Sequence, residues 1–222
     1  MSLDAIPAGK GSPHQGQPVY RAGAKLAQAR LGMIMLHGRG ATAGDILSLA
    51  AEFDQSEVAY LAPQAANHTW YPYSFLEPIE RNEPALSSGL AFVSEILETL
   101  AAEGLPPERV VLLGFSQGAC LATEYTARHA RRYAGLAGLS GGLIGPSVER
   151  ERYQGSLEGT PVFLGCSDVD PHIPKARVEE TSEVLRALGG QVTLRLYPNL
   201  PHTVNRDEIE AVKAMLAGAV TD

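Results

Sequence analysis

Val110-Val111-Leu112-Leu113 runs directly into Gly114-Phe115-Ser116-Gln117-Gly118 and then into helix-forming residues, and no other stretch constrains this chain as much. The unbroken apolar run reads as a strand covered on both faces. Ala119 onward to Arg131 reads as a helix with basic residues near its end. A strand that becomes a helix within five residues brings the flanking side chains into collision, and glycine two residues before and after Ser116 removes them. The chain must then hold a helix against a sheet, with Ser116 at the helix N-terminus, where developing negative charge is favoured. In that setting Ser116 reads as a nucleophile; the alternative is a tight turn carrying an ordinary serine.

The rest of the chain repeats the alternation. Gly32 to Leu36 and Val58 to Ala62 read as buried strands, with a helix between them from Thr42 to Phe53. A long helix over 86–100 leads into the strand at 109–113, which with the turn at Ser116 and the helix after it forms an elbow. Beyond the elbow helix come strands at 136–140, 161–166 and 192–197, separated by a helix over 175–188, with a final amphipathic helix over 207–219. Mostly apolar strands alternating with helices predict a mostly parallel, doubly wound sheet flanked by helices on both faces. Residues 1–18, rich in Gly, Pro, Ser and Gln, read as a flexible N-terminal arm, Val19 to Ala24 as a short edge strand, and 19–222 as a single α/β domain.

Composition narrows the function. Lys plus Arg total 18 against 25 Asp plus Glu, a net charge of -7, without a dense basic run, so nucleic acid is an unfavourable partner. No apolar run approaches the roughly 20 residues that span a bilayer, and the start lacks a basic segment followed by a long apolar core. The cysteines, Cys120 and Cys166, both fall inside expected core elements, which suits reduced thiols and a cytoplasmic setting.

A nucleophilic serine needs a base and a carboxylate that orients the base. In a doubly wound sheet these belong at the C-terminal ends of strands. Among six histidines, His202 follows the last strand and precedes the last helix. Asp168 and Asp170 both follow the 161–166 strand, and the order Ser, Asp, His is kept by either. Asp170 is preferred because Pro171 fixes the turn behind it, leaving Asp168 to cap or support the loop. Asp168, Asp170 and His172 also have the chemistry of metal ligands, but nothing nearby completes a coordination shell, so neither metal nor cofactor is expected. Oxyanion donors are assigned to the backbone N–H of Gln117 and to that of Arg39 in His37-Gly38-Arg39-Gly40, a turn that lacks the pattern of a phosphate cradle. The Arg39 side chain is a candidate for meeting an anionic substrate group. The aromatic-rich loop from Gln64 to Pro84 either seals the sheet end or walls a pocket, with Trp70, Tyr71 and Phe75 as candidate substrate-binding residues.

Leu36-His37-Gly38-Arg39-Gly40, Gly114-Phe115-Ser116-Gln117-Gly118, Asp168-Val169-Asp170-Pro171-His172-Ile173-Pro174 and Leu200-Pro201-His202 together resemble the phospholipase/carboxylesterase family of α/β-hydrolases, which includes acyl-protein thioesterases. The resemblance covers roughly residues 30 to 218. It implies the α/β-hydrolase fold, Ser116 as nucleophile, Asp170 as acid, His202 as base, and oxyanion N–H groups from Gln117 and Arg39. Arg39-Gly40-Ala41 departs from the Leu-Gly-Asp usual in acyl-protein thioesterases, so their long acyl channel is not carried over. The expectation is a cofactor-free serine carboxylesterase for small or medium acyl esters. Thioesterase, lysophospholipase and dienelactone-type activities stay open, as do a catalytically silent binding protein on the same scaffold and assembly as a homodimer.

Overall fold

The computed structural model describes residues 4–5 and 12–221. Its centre is a sheet of eight strands: β1 (Asp4–Ala5), β2 (Pro18–Gly23), β3 (Leu31–Leu36), β4 (Val58–Pro63), β5 (Val110–Phe115), β6 (Gly135–Leu139), β7 (Pro161–Ser167) and β8 (Gln191–Tyr197). In space they are ordered β1-β2-β4-β3-β5-β6-β7-β8. The pairings β1·β2 and β2·β4 are antiparallel, and every pairing from β4 to β8 is parallel.

Strand periodicity explains the continuous apolar runs, because successive side chains point to opposite faces. Ile34, Leu36 and Leu112 pack with residues of α3 (Ala85–Ala102), α4 (Gln117–Arg128) and α5 (Lys175–Ala187). Met33, Met35, Val111 and Leu113 pack on the other face with α1 (Ala43–Leu47), α2 (Ala50–Phe53) and α6 (Arg206–Thr221). Both faces of the central strands are therefore dry. Strand β8, at one edge, instead shows alternating exposure.

The chain runs from β3 to β4 in one direction along the sheet and then returns to place β5 on the other side of β3. That reversal separates the loops after β3 and β5 and opens a crevice at the strand ends. The elbow stands at this point.

Several boundaries differ from those predicted. The helix expected from Thr42 to Phe53 divides into α1 and α2. Thr42 and Asp45 close a reciprocal cap at its start, but the Ser48 hydroxyl donates to the Asp45 carbonyl, and 49, 51 and 52 bond to carbonyls three residues back. A side chain competing for the carbonyl tightens that turn. The elbow helix stops at Arg128 rather than Arg131, because His129 leaves helical geometry and Ala130 bridges to Gly155.

The flexible arm expected over 1–18 needs correction at Asp4–Ala5 and from residue 12 onward. Residues 1–3 and 6–11 lie outside the described residues, but Asp4–Ala5 pairs with β2, and His14 and Gln15 are buried. The His14 amide donates to Ser88 Oγ, which in turn donates to Gln15 Oε1. The His14 ring donates from Nε2 to the Trp70 carbonyl and accepts at Nδ1 from the Ala66 amide. Polar groups this deep keep their place only when paired, and each of these partners is far away in sequence.

Candidate active site

Ser116 sits between β5 and α4 with φ 55° and ψ -119°, a conformation that costs a non-glycine residue on the order of 1–3 kcal/mol. The surrounding backbone leaves no alternative. A Cβ at Gly114 would run into the Gly118 carbonyl, and a Cβ at Gly118 into the Leu36 carbonyl at the end of β3. The Ser116 amide donates to Leu139 O, tying the elbow to β6.

His202, in the turn between β8 and α6, reaches Ser116 Oγ with Nε2 at 2.9 Å and Asp170 Oδ2 with Nδ1 at 2.6 Å. Because an ionised carboxylate can only accept, Nδ1 carries the proton and Nε2 is left to accept from the serine hydroxyl. Phe115 and His172 lie against the imidazole, at ring-centroid distances of 5.0 and 4.9 Å. The Asp170 side chain is wholly buried. Burial would push its carboxyl up, but hydrogen bonds from His202 and from the amides of His172 and Ile173 outweigh it and hold the group below its ordinary value. Asp168 serves elsewhere, with Oδ1 accepting from the Asn199 amide and so bracing the turn that carries His202.

The turn after β3 packs on the elbow, with Gly38 close enough that an added Cβ would lie 3.4 Å from Ser116 Cβ. Buried His37 holds this turn in shape. Its Nδ1 donates to the Gly38 carbonyl at 2.7 Å, its Nε2 accepts from the Ala65 amide, and its carbonyl accepts from Trp70 Nε1. Burial pushes the imidazole's pKa down, so it stays neutral, as this pairing requires. Among the described residues, neither the Arg39 nor the Gln117 amide donates an internal hydrogen bond, and both remain available beside the serine.

A cleft of about 480 Å³ opens over Ser116 and His202, with Tyr71, Phe75 and Ile173 in its walls and Arg39 and His172 also facing it. Of the three aromatics expected to bind substrate, Tyr71 and Phe75 line this space. Trp70 does not. It is wholly buried behind the wall, packed between His14 and His37 at 5.3 and 5.2 Å, with its indole N–H donating to the His37 carbonyl, its amide to Gln117 Oε1, and its carbonyl accepting from His14. Cys120 also lines the cleft, but burial pushes its thiol up to about 12, so it is a neutral filler at ordinary pH.

The aromatic wall contains little regular structure, and side chains hold it in place. Gln117 accepts at Oε1 from the Trp70 amide and donates from Nε2 to the Tyr71 carbonyl. The Arg39 guanidinium donates to the carbonyls of Pro72 and Tyr73. Buried Asn82 accepts from the Tyr73 amide and donates to Ser74 O, and the Gly145 amide donates to Phe75 O. Every carbonyl from Tyr71 to Phe75 is thereby paired. These roles of Gln117, Arg39, Asn82 and His14 were not legible in the sequence. Polar residues near a pocket carry no mark of the distant backbone group they will meet.

Comparison with known proteins agrees with this architecture. The profile of the phospholipase/carboxylesterase family matches residues 22–219. The crystal structure of a phospholipase/carboxylesterase from Dyadobacter fermentans superposes with a TM-score of 0.88 at 43% identity, covering 90% of this chain and 96% of that one. Acyl-protein thioesterase 1 of Saccharomyces cerevisiae is 24% identical, over 88% of this chain and 96% of its own length. The carboxylesterase of Bacillus cereus shares the fold, with a TM-score of 0.71 at 21% identity over 91% of this chain and 94% of its own. The chain belongs to the phospholipase/carboxylesterase family of α/β-hydrolases, a family of esterases and thioesterases.

Proposed function

From this membership, we propose that the chain is a serine carboxylester hydrolase that acts through an acyl-enzyme on small or medium acyl esters. The observation that carries the reading is the single imidazole bridging Ser116 Oγ and the buried Asp170 carboxylate. Ser116 attacks the ester carbonyl carbon while His202 Nε2 takes its proton. The carbonyl oxygen becomes an oxyanion, which accepts hydrogen bonds from the N–H groups of Arg39 and Gln117. Losing one such donor costs roughly 100 to 1,000-fold in turnover. As the tetrahedral intermediate collapses, the bond to the alcohol breaks and His202 returns its proton to the leaving oxygen. The same imidazole then deprotonates water, which attacks the acyl-serine, and the acid departs with Ser116 restored. Asp170 stabilises the transient imidazolium and fixes its tautomer. No step needs a cofactor.

The cleft, about 480 Å³ with Tyr71 and Phe75 in its walls, suits a modest acyl group. Relatives named as acyl-protein thioesterases bring a second reading, hydrolysis of thioesters, since the same three residues serve either leaving group. The test is a panel of p-nitrophenyl esters from acetate to palmitate plus an acyl thioester, run on wild type and Ser116→Ala. The expected result is turnover of short esters that falls by about a million-fold in the variant. A preference for the thioester moves the assignment to that chemistry. An absence of Ser116-dependent turnover on every member overturns the reading.

A further inference from the structure

We propose that the Arg39 guanidinium is a carboxylate-recognition site in the cleft, and that the natural substrates are esters whose acyl or alcohol part carries a carboxylate. This rests on the hydrolase reading above and specifies its substrate class.

Arg39 lines the same cleft as Ser116 and is exposed to it. Its guanidinium has five N–H donors. Two are spent, one on Pro72 O and one on Tyr73 O. Both acceptors are neutral carbonyls, so they fix the orientation of the group without cancelling its charge. Among the described residues no carboxylate pairs with Arg39, and no Asp or Glu lines the cleft. Asp170 is wholly buried and already bonded to His202. Three donors and a full positive charge are therefore left unspent on a side chain that lines the cleft beside the nucleophile.

The clamp makes this cation more than a mobile surface charge. A free arginine surrenders rotamer entropy when it binds an anion. Here that cost is met on folding, and the planar fork already points in one direction. A chain of net charge -7 repels anions at long range, so a small anionic substrate requires a local cation at the site. A lysine could supply the charge but not the paired grip on two successive carbonyls. Carboxylate recognition and shaping of the aromatic wall are thus joined in one side chain.

The test uses isosteric ester pairs on wild type, Arg39→Gln and Arg39→Lys. On the acyl side, p-nitrophenyl hydrogen adipate is compared with its neutral terminal amide; on the alcohol side, p-carboxyphenyl butyrate with p-carbamoylphenyl butyrate. In wild type, kcat/KM on one of these arms is expected to favour the carboxylate by about tenfold or more, as for a charge-assisted hydrogen bond. The preference should shrink with added salt, vanish in Arg39→Gln and persist in weakened form in Arg39→Lys. Each neutral partner is the internal reference, so altered basal turnover through the Arg39 loop does not enter the ratio. Equal rates on charged and neutral partners in both arms, or a preference unchanged in Arg39→Gln, overturn the inference while leaving the hydrolase reading intact. Failure of wild type to turn over any ester in a Ser116-dependent manner overturns both.

Discussion

The two sides of the cleft are built by different forces. The side bearing Ser116 and His202 is made from the ends of β5 and β8, and its geometry is set by backbone: ladder hydrogen bonds, two glycines and a helix start. The facing side, 69–76, has almost no regular structure and depends on Gln117, Arg39, Asn82 and His14 reaching in from elsewhere. The first side is positioned by elements that the whole sheet supports. The second is positioned by a few polar contacts, each of which could be lost alone. Catalytic geometry should therefore resist substitution except at the turn itself, whereas pocket shape should be adjustable one side chain at a time.

Gly118→Ala strikes the backbone-built side hardest. Its Cβ meets the Leu36 carbonyl, which cannot move without displacing β3, so denaturant unfolding should show a loss of about 4 kcal/mol or more. A variant of nearly wild-type stability would mean that the elbow has more freedom than this packing allows.

Gln117→Leu acts on the other side. It strips the Trp70 amide of its partner and leaves the Tyr71 carbonyl with only the Thr69 hydroxyl, while the backbone N–H of residue 117 stays in place. An unpaired buried amide costs about 1–3 kcal/mol and the weakened carbonyl adds to it, so a stability loss of about 2–3 kcal/mol is expected, with faster amide exchange confined to 69–76. Activity should fall on the order of tenfold through a raised KM. Uniformly faster exchange across the domain would contradict the local character of this wall.

The smallest effect concerns Glu208, on the His202 side. It caps α6 by exchanging hydrogen bonds with Asn205: its Oε2 accepts from the Asn205 amide, and its own amide donates to Asn205 Oδ1. Its Oε1 is buried without a hydrogen-bond partner among the described residues, and burial pushes the carboxyl up to about 7. The raised value favours the protonated form in the folded state. The folded protein therefore loses stability as pH rises from the ordinary carboxylate value through about 7. Glu208→Gln should match wild type near pH 4 and exceed it by on the order of 2 kcal/mol near pH 8. Parallel stability curves for the two proteins would remove ionisation of Glu208 from the account.

How much is legible in the sequence divides along the same line. The apolar runs of β3, β4 and β5 and the spacing of Gly114, Ser116 and Gly118 express local rules, and those elements appear close to where the rules place them. The order of Ser116, Asp170 and His202 follows from chain connectivity in a doubly wound sheet, and the structure brings these three together. Trp70 departs from expectation because burial depends on what lies behind a side chain, and here that is His14 and His37. The N-terminal stretch departs for a similar reason. Its Gly, Pro, Ser and Gln content has the look of a loose arm, while His14 is ordered by bonds to residues more than fifty positions away.

The sequence by itself determined the alternation of strands and helices, the turn at Ser116 and the strand ends that carry Asp170 and His202, because backbone sterics and side-chain periodicity act over a few residues. Only the tertiary structure decided which distant group Asp168 supports, the Asn199 amide in the turn that carries His202. It also decided which aromatics face the cleft and where the Arg39 guanidinium is held. Those outcomes depend on hydrogen bonds between groups far apart in the chain, whose donors and acceptors find each other only once the sheet has been assembled.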